Sequence, residues 1–347
     1  MPRLTIIVPL MDQVDKFETT LASVLRYAGS QVEVLAAIAG DYQDQYGILD
    51  EIGSVFVDFR LASTPLGRVA LAADSATSTW IYWLSPGIEM TEDALEGALN
   101  SIQQRDLGLG SPRIVERTGT TEGSGCVGDD SGSRCLASSV VMTDRFHPVC
   151  LEDLVGEQWS AADLSPQVHV VGPTGWAGLV QRRLLEQWGS TGGLRLPSGY
   201  IELSLGLFVQ QNGWSHQWIS GNLSANEIIA ADIEAGYRLC GRSSNRILQL
   251  ANTTPRSSLY WRAVRVGLAE VARGCLSPQL WRVAWEQLSG LRSLRQPSLH
   301  GRALDGRAIS SGELVRDGDE SGAEDVSRTK SSTPTSTVPT RKFRSAA

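Results

Sequence analysis

Strand-like apolar runs alternate with helix-periodic segments four times in the first ~100 residues, and no other feature constrains the fold as much. LTIIVPL (4–10) is short, continuous and rich in β-branched residues, and it ends around Pro9, which cannot donate in the middle of a ladder. In the following segment Val14, Phe17, Leu21, Val24 and Leu25 fall at helical spacing, and Gly29 marks the stop. VEVLAAIAG (32–40), SVFVDFR (54–60) and WIYWL (80–84) read as further strands. GRVALAADSAT (67–77) and TEDALEGALNSIQQR (91–105) read as helices, the second opened by a threonine cap with acids in its first turn. Such alternation predicts an α/β fold, with a mostly parallel central sheet and helices on both faces. In sheets of that kind ligands sit beyond the carboxyl ends of the strands, which directs attention to Pro9–Asp12, Ala39–Asp41 and Ser85–Glu89.

Further along, the pattern loosens. The segment 116–135 is a Gly/Ser/Asp-rich loop, LASSVVM and VHVVGP carry strand signals, and WAGLVQRRLLEQWG (176–189) reads as a strand edge feeding a helix. A helix is expected within 197–214, and more helices over 226–295. From about Gln296 onward Ser, Thr, Gly, Pro and charge dominate, which predicts a disordered tail. The expected organisation is a domain over 1–225, a helical extension over 226–295 packed on it, and a tail over 296–347. In the extension, tryptophans and valines alternate with arginines, a pattern compatible with peripheral membrane contact as well as with docking on the domain.

Several function classes are excluded. Thirty-one basic against 38 acidic residues give a net charge of -7, which argues against broad nucleic-acid binding. No apolar run approaches the ~20 residues of a spanning helix. The first strand lacks a glycine-rich dinucleotide fingerprint, so an NAD or FAD site is not expected. Five cysteines with no CxxC pair suggest reduced thiols in a cytoplasmic protein, with a Cys126–Cys135 bridge as the alternative. Zinc spacing is absent except for His147 beside Cys150.

Four segments, in order, carry a resemblance. LTIIVPLMDQVDKFETTLASVL, with Thr20, Leu21, Ser23, Val24 and Leu25 in register, resembles the opening of family 2 glycosyltransferases, nucleotide-sugar-dependent enzymes of GT-A fold. ATSTWIYWLSPGIEMTEDALEGAL is similar to the family's block in which a strand ends in Asp-x-Asp before a helix. WAGLVQRRLLEQWG and SGYIELSLGLFVQQNGW resemble the segments that carry an arginine pair and an acidic pair. The similarity covers roughly residues 4 to 220 and implies a GT-A-like fold, a nucleotide-sugar donor and a polysaccharide, lipid or protein acceptor.

Residue by residue, the carry-over is incomplete. The family's Asp-x-Asp holds Mn or Mg against the donor's diphosphate, because a hard cation with carboxylate ligands neutralises the leaving group. The matching positions are Ser85, Pro86 and Gly87, so a metal requirement is weakened or lost, and the Ser85–Gly87 loop would line the donor together with Asp41; Glu89 is either a substitute ligand or an ordinary loop acid. Asp41 falls near the position of the uridine-binding acid and equally suits a helix cap, and Asp12 and Asp15 share that ambiguity. Pro9 shapes the first corner. Glu202 aligns with the catalytic base, which needs its carboxyl within ~3 Å of the acceptor hydroxyl, or else it is a helix-start acid. Arg182 and Arg183 face either the diphosphate or solvent, and Trp214 and Trp218 either a sugar ring or a packing seam. The expected function is glycosyl transfer by a cytoplasmic protein, a location compatible with peripheral contact at the inner face of the membrane. The alternative is a non-catalytic GT-A-fold binding or scaffolding protein in a surface-polysaccharide pathway, and a nucleotidyltransferase-like enzyme is a more distant third.

Overall fold

The computed structural model describes residues 2–39, 52–58, 60–116, 134–142, 147–152, 170–191 and 196–225, with scattered positions between 42 and 49, at 194, and between 229 and 288. The expected tail lies outside the described residues, as does most of the expected helical extension.

Strand β1 (Leu4–Pro9) is buried along its whole length, and so is β4 (Trp80–Leu84). A parallel strand covered on both faces needs such continuous apolarity. Alternation of side chains then divides the core in two. Ile6 and Val8 share one cluster with Phe17, Leu21 and Val24 of helix α1 (Val14–Tyr27) and with Ala94, Leu95 and Ala98 of α3 (Glu92–Ser101). Ile7 joins the other cluster, with Leu66 and Val69 of α2 (Pro65–Ala72), Leu184 and Leu185 of α4 (Arg182–Gly189) and Ile201 and Leu205 of α5 (Tyr200–Gln211). Helices therefore cover both faces of the sheet. The caps follow the sequence signals: Thr91 accepts from the Ala94 N–H at 3.2 Å, and Thr64 accepts from the Gly67 N–H at 3.2 Å with Pro65 beginning the helix.

The remaining strands are β2 (Val32–Ile38), β3 (Gly53–Phe56), β5 (Ile88–Glu89), β6 (Leu107–Glu116), β7 (Cys135–Ala137), β8 (Ser139–Met142), β9 (Pro148–Cys150), β10 (Val170–Pro173), β11 (Ala177–Gln181) and β12 (Ser215–Ala225). The central sheet has nine strands in the order β3-β2-β1-β4-β11-β6-β12-β5, with β7 paired to β6. Its first four strands are parallel, as the alternation predicts. Beyond β4 the sheet is mixed, because β11 runs antiparallel to both β4 and β6 while β6 and β12 are parallel to each other. A smaller antiparallel sheet has the order β10-β8-β9.

Two long strands, β6 and β12, carried no clear strand signal. The sequence of β6, LGLGSPRIVE, has two glycines and a proline. The structure uses all three. A Cβ on Gly108 would lie 2.5 Å from Trp214, and one on Gly110 would lie 2.8 Å from Ile219. Pro112 falls where the β6–β12 register shifts, between Ser111 and Arg113, a place where a strand tolerates a missing donor. Among the described residues, no helix is long and apolar enough to cross a membrane.

Candidate functional site

After β1 the chain crosses to β2 on one side, whereas β4 lies on the other, so the strand order reverses between β1 and β4. The carboxyl ends of two parallel strands diverge at such a point and leave a crevice. A cavity of about 420 Å³ occupies it. Met11, Asp12, Gln13 and Lys16 line it from the end of β1 and the start of α1, and Ser63, Thr64 and Pro65 from the start of α2. Ser85 and Pro86 come from the β4–β5 corner, Gly175 and Trp176 from the β10–β11 turn, and Pro197 and Ser198 from the approach to α5. Cys150, Ile229, Ile233 and Tyr237 complete the wall.

The β4–β5 corner is held by its own hydrogen bonds. Ser85 is buried; its N–H donates to the Trp176 carbonyl at 2.7 Å and its hydroxyl to the Gly175 carbonyl at 3.0 Å. Gly87 has φ +91°, and its N–H donates to Thr20 Oγ1 at 2.8 Å and to the Lys16 carbonyl at 3.3 Å. A side chain there would be strained in backbone and blocked in space, since a Cβ would lie 2.5 Å from Ile229 and 3.4 Å from Lys16 Cδ. The Mn or Mg ion implied by the sequence resemblance does not fit this donor set. Asp12 is the single carboxylate among the described lining residues, and no group of three His, Cys, Asp or Glu that could hold a metal occurs among the described residues. Hard cations need several oxygen ligands, and the Ser85 hydroxyl is already engaged with a carbonyl.

Behind the wall lies Arg68, buried and bonded through its guanidinium to the Leu10 and Ala62 carbonyls. Burial lowers its pKa, and the carboxylate of Asp12 opposes that shift. Asp12 thus steadies a structural cation that ties the end of β1 to the start of α2.

Glu202 lies one layer beneath the cavity. It occupies the first turn of α5, is completely buried, and accepts a hydrogen bond from the Gly199 N–H through Oε2. Gly199 has φ +85° and brings no side chain, so the acid alone caps the helix. Its Oε1 has no hydrogen-bond partner among the described residues, and burial pushes its pKa up to about 8. A Cβ on Gly175 would lie 2.8 Å from that Oε1 and 2.8 Å from Ser198 Oγ, which places the carboxyl directly under the cavity floor. Tyr237 covers the same spot: its hydroxyl accepts from the Gly175 N–H at 3.4 Å, and its own pKa is raised first by burial, then by Cys150 and Glu202.

The structure therefore gathers the expected site residues only in part. Ser85 lines the cavity, and Gly87 packs beneath Ile229 at its edge. Pro9 is buried in β1 opposite Ala37, two residues before the lining begins. Asp41 lies outside the described residues. Arg182 is placed at the other end of the sheet: its N–H donates to the Thr79 carbonyl, its guanidinium bonds the Ala76 carbonyl, and it pairs with Glu186 at 3.2 Å. Because β11 runs antiparallel to β4, the helix that follows it starts beside the beginning of β4, not its end. Arg183 is exposed, and Glu89 pairs with Ser224 in the β5–β12 ladder, away from the lining. Trp214 and Trp218 border a separate shallow cavity of about 160 Å³, where the Trp218 Nε1–H donates to Ser139 Oγ at 2.9 Å. Cys135 and Cys150 are both buried thiols, so no Cys126–Cys135 bridge forms.

Sequence reasoning missed Lys16, the Ser63–Pro65 cap, Ser198 and Tyr237. The cap was readable, since Ser-Thr-Pro before an apolar run is a helix-start signature. Lys16 is one charged residue on an amphipathic helix, and nothing in its spacing marks it.

No protein-family model matches the chain, and no curated protein matches it. Solved glycosyltransferases resemble it weakly. The mannosyltransferase PcManGT from Pyrobaculum calidifontis, in complex with GDP-Man and Mn2+, is 14% identical; the match covers 87% of this chain and 78% of that one with a TM-score of 0.41. Glucosyl-3-phosphoglycerate synthase from Mycobacterium tuberculosis, with Mn2+, UDP and phosphoglyceric acid, is 11% identical over 73% of this chain and 80% of that one, TM-score 0.41. GalNAc-T7 with UDP, GalNAc and Mn2+ is 12% identical over 65% of this chain, TM-score 0.43, and the match spans only 44% of its length. The sugar nucleotides and manganese belong to those proteins.

Proposed function

We propose that this chain is a GT-A-like, glycosyltransferase-related protein that binds a nucleotide-sugar donor in the β1–β4 cavity without a carboxylate-held cation. The position of the cavity carries this reading, since it opens where the strand order reverses and where ligands of open α/β sheets bind. Its volume suits a small organic ligand, for which pockets run from about 300 to 1,000 Å³. Two sequence landmarks of the resemblance, the first-strand corner and the Ser85–Gly87 corner, border this one cavity, and a third, the start of α5, lies under its floor. The acceptor would be a polysaccharide, lipid or protein.

Calorimetry of the full chain with UDP- and GDP-linked sugars, in EDTA and then in manganese, tests the proposal. Saturable binding of at least one donor in EDTA is expected. No binding of any donor in either buffer would overturn it.

A second reading, donor binding without transfer, is favoured by the burial of Glu202. A general base must come within about 3 Å of the hydroxyl it deprotonates. Glu202 is sealed beneath Gly175 and Ser198 and engaged with Gly199. A donor that binds but is neither hydrolysed nor transferred over long incubation supports this second reading. Turnover by the wild type that is abolished in Glu202→Gln, with the fold retained, would refute it.

A further inference from the structure

We propose that Lys16 supplies, at the donor's diphosphate, the positive charge for which the cavity has no metal ligands. The inference rests on the reading that the cavity takes a nucleotide sugar, and it names the group that recognises the charged part.

Lys16 sits in the first turn of α1 and lines the cavity. Its carbonyl is fixed by the Gly87 N–H at 3.3 Å, and its stem runs past Gly87, with Cδ 3.4 Å from where a Cβ on that residue would stand. The missing corner acid and the lysine are thus one structural feature. Glycine at 87 leaves a lane along which the methylenes pass, and any larger residue would narrow it. Aliphatic packing of this kind holds the stem while the ammonium reaches for polar partners.

The local charges favour an anion. Among the described residues, the lining and the groups just behind it hold Lys16 and Arg68 against the carboxylate of Asp12 and that of Glu202 beneath the floor, and burial favours the neutral form of Glu202. Asp12 acts on the Arg68 guanidinium from the cavity side. An ammonium is a compact charge with three donors, suited to the bridging and terminal oxygens of two linked phosphates. The rest of the lining is neutral, with Ser63, Thr64 and Ser198 as hydroxyls and Trp176, Ile233 and Pro197 as apolar surface for the uncharged parts of the ligand.

Calorimetry on the full chain tests this with UDP, GDP and inorganic pyrophosphate, each in EDTA and in MnCl2, and with uridine and guanosine as phosphate-free controls. The wild type should bind pyrophosphate and at least one nucleoside diphosphate with affinities that manganese changes by less than about threefold. Lys16→Gln should weaken both by about tenfold or more, equivalent to ~1.4 kcal/mol, leave nucleoside binding unchanged, and flatten the salt dependence. Lys16→Arg should recover most of the loss, and unchanged thermal unfolding of both variants shows that the fold is intact. Equal diphosphate binding by wild type and Lys16→Gln overturns the proposal, and so does a tenfold or greater strengthening of wild-type binding by manganese. Binding of pyrophosphate but of no nucleotide supports the lysine site and sinks the nucleotide-sugar reading; binding of no phosphate compound sinks both.

Discussion

The β4–β5 corner and the start of α5 are the two places where the sequence resemblance expects functional acids, and they depart from that expectation in opposite directions. The corner lies at the cavity and has no carboxylate: Ser85 and Gly87 are engaged with Gly175, Thr20 and Lys16. The start of α5 has a carboxylate without access, since Glu202 caps Gly199 at complete burial. The contrast shows that access and acidity are set by different parts of the fold. The corner borders the cavity because the strand order reverses there, whatever residues occupy it. Glu202 is deep because α5 lies against β10 at backbone distance, where a Cβ on Gly206 would fall 1.7 Å from the Val171 carbonyl. An acid so placed holds the helix start together, and its chemistry follows from that.

The largest expected effect separates these roles. Glu202→Ala leaves the Gly199 N–H without its acceptor and opens a void, which should cost about 3 kcal/mol in urea denaturation. Glu202→Gln keeps an acceptor for Gly199 and should cost much less. The pH dependence is also specific. The folded carboxyl titrates at about 8 against 4.5 for the unconstrained group. Below 4.5 both states are protonated and the contribution is complete. Between 4.5 and 8 the unfolded chain has released a proton that the folded chain retains, so stability falls as pH rises, by up to about 1.4 kcal/mol per unit. Glu202→Gln should remove that slope. Parallel pH profiles for wild type and Glu202→Gln would show that the carboxyl is solvated and return it to the list of candidate bases.

This division also explains what could be read in advance. The first four strands and their helices were legible because continuous apolar runs and 3.6-residue periodicity are direct consequences of two-sided burial. Strands β6 and β12 were not, since Gly108, Gly110 and Pro112 are chosen for what neighbouring residues need, and local sequence carries no trace of that. For the site, the corner was legible because a strand end is a fixed landmark. Which of its two readings Arg182 follows was not legible, because direction in the sheet decides which end a helix begins at, and the antiparallel run of β11 has no local signature. Lys16 and Tyr237 meet only in three dimensions.

Placing an acid at the corner should sharpen the contrast. Gly87→Asp forces a side chain onto φ +91° and into Ile229, and should cost about 2 kcal/mol without conferring manganese binding. On an Ile229→Ala background the steric part is relieved and the backbone strain remains, so measured against Ile229→Ala alone Gly87→Asp should cost roughly half as much in chemical denaturation. A fully stable single variant that binds manganese would mean that the corner is still a metal site lacking only its ligand. Ser85→Ala is milder. It removes one hydroxyl donor to the Gly175 carbonyl at 3.0 Å and should cost about 1 kcal/mol. Donor affinity should change by less than about threefold, because the hydroxyl faces the protein.

The smallest effect is expected at Arg182, which serves as the control for the whole contrast. Its guanidinium pairs with Glu186 one turn along α4, with both side chains about one-third exposed, and also bonds the Ala76 carbonyl. Pairs of this type contribute about 0.3–0.5 kcal/mol, and the carbonyl bond adds a similar amount. Arg182→Ala should therefore lower stability by no more than about 1 kcal/mol. Diphosphate affinity measured beside Lys16→Gln should stay at the wild-type value, since the residue lies beyond the amino end of β4 and the cavity lies beyond its carboxyl end. A loss of diphosphate binding in Arg182→Ala comparable to that in Lys16→Gln would place the anion at the opposite end of the sheet, and the assignment of the cavity would fall with it.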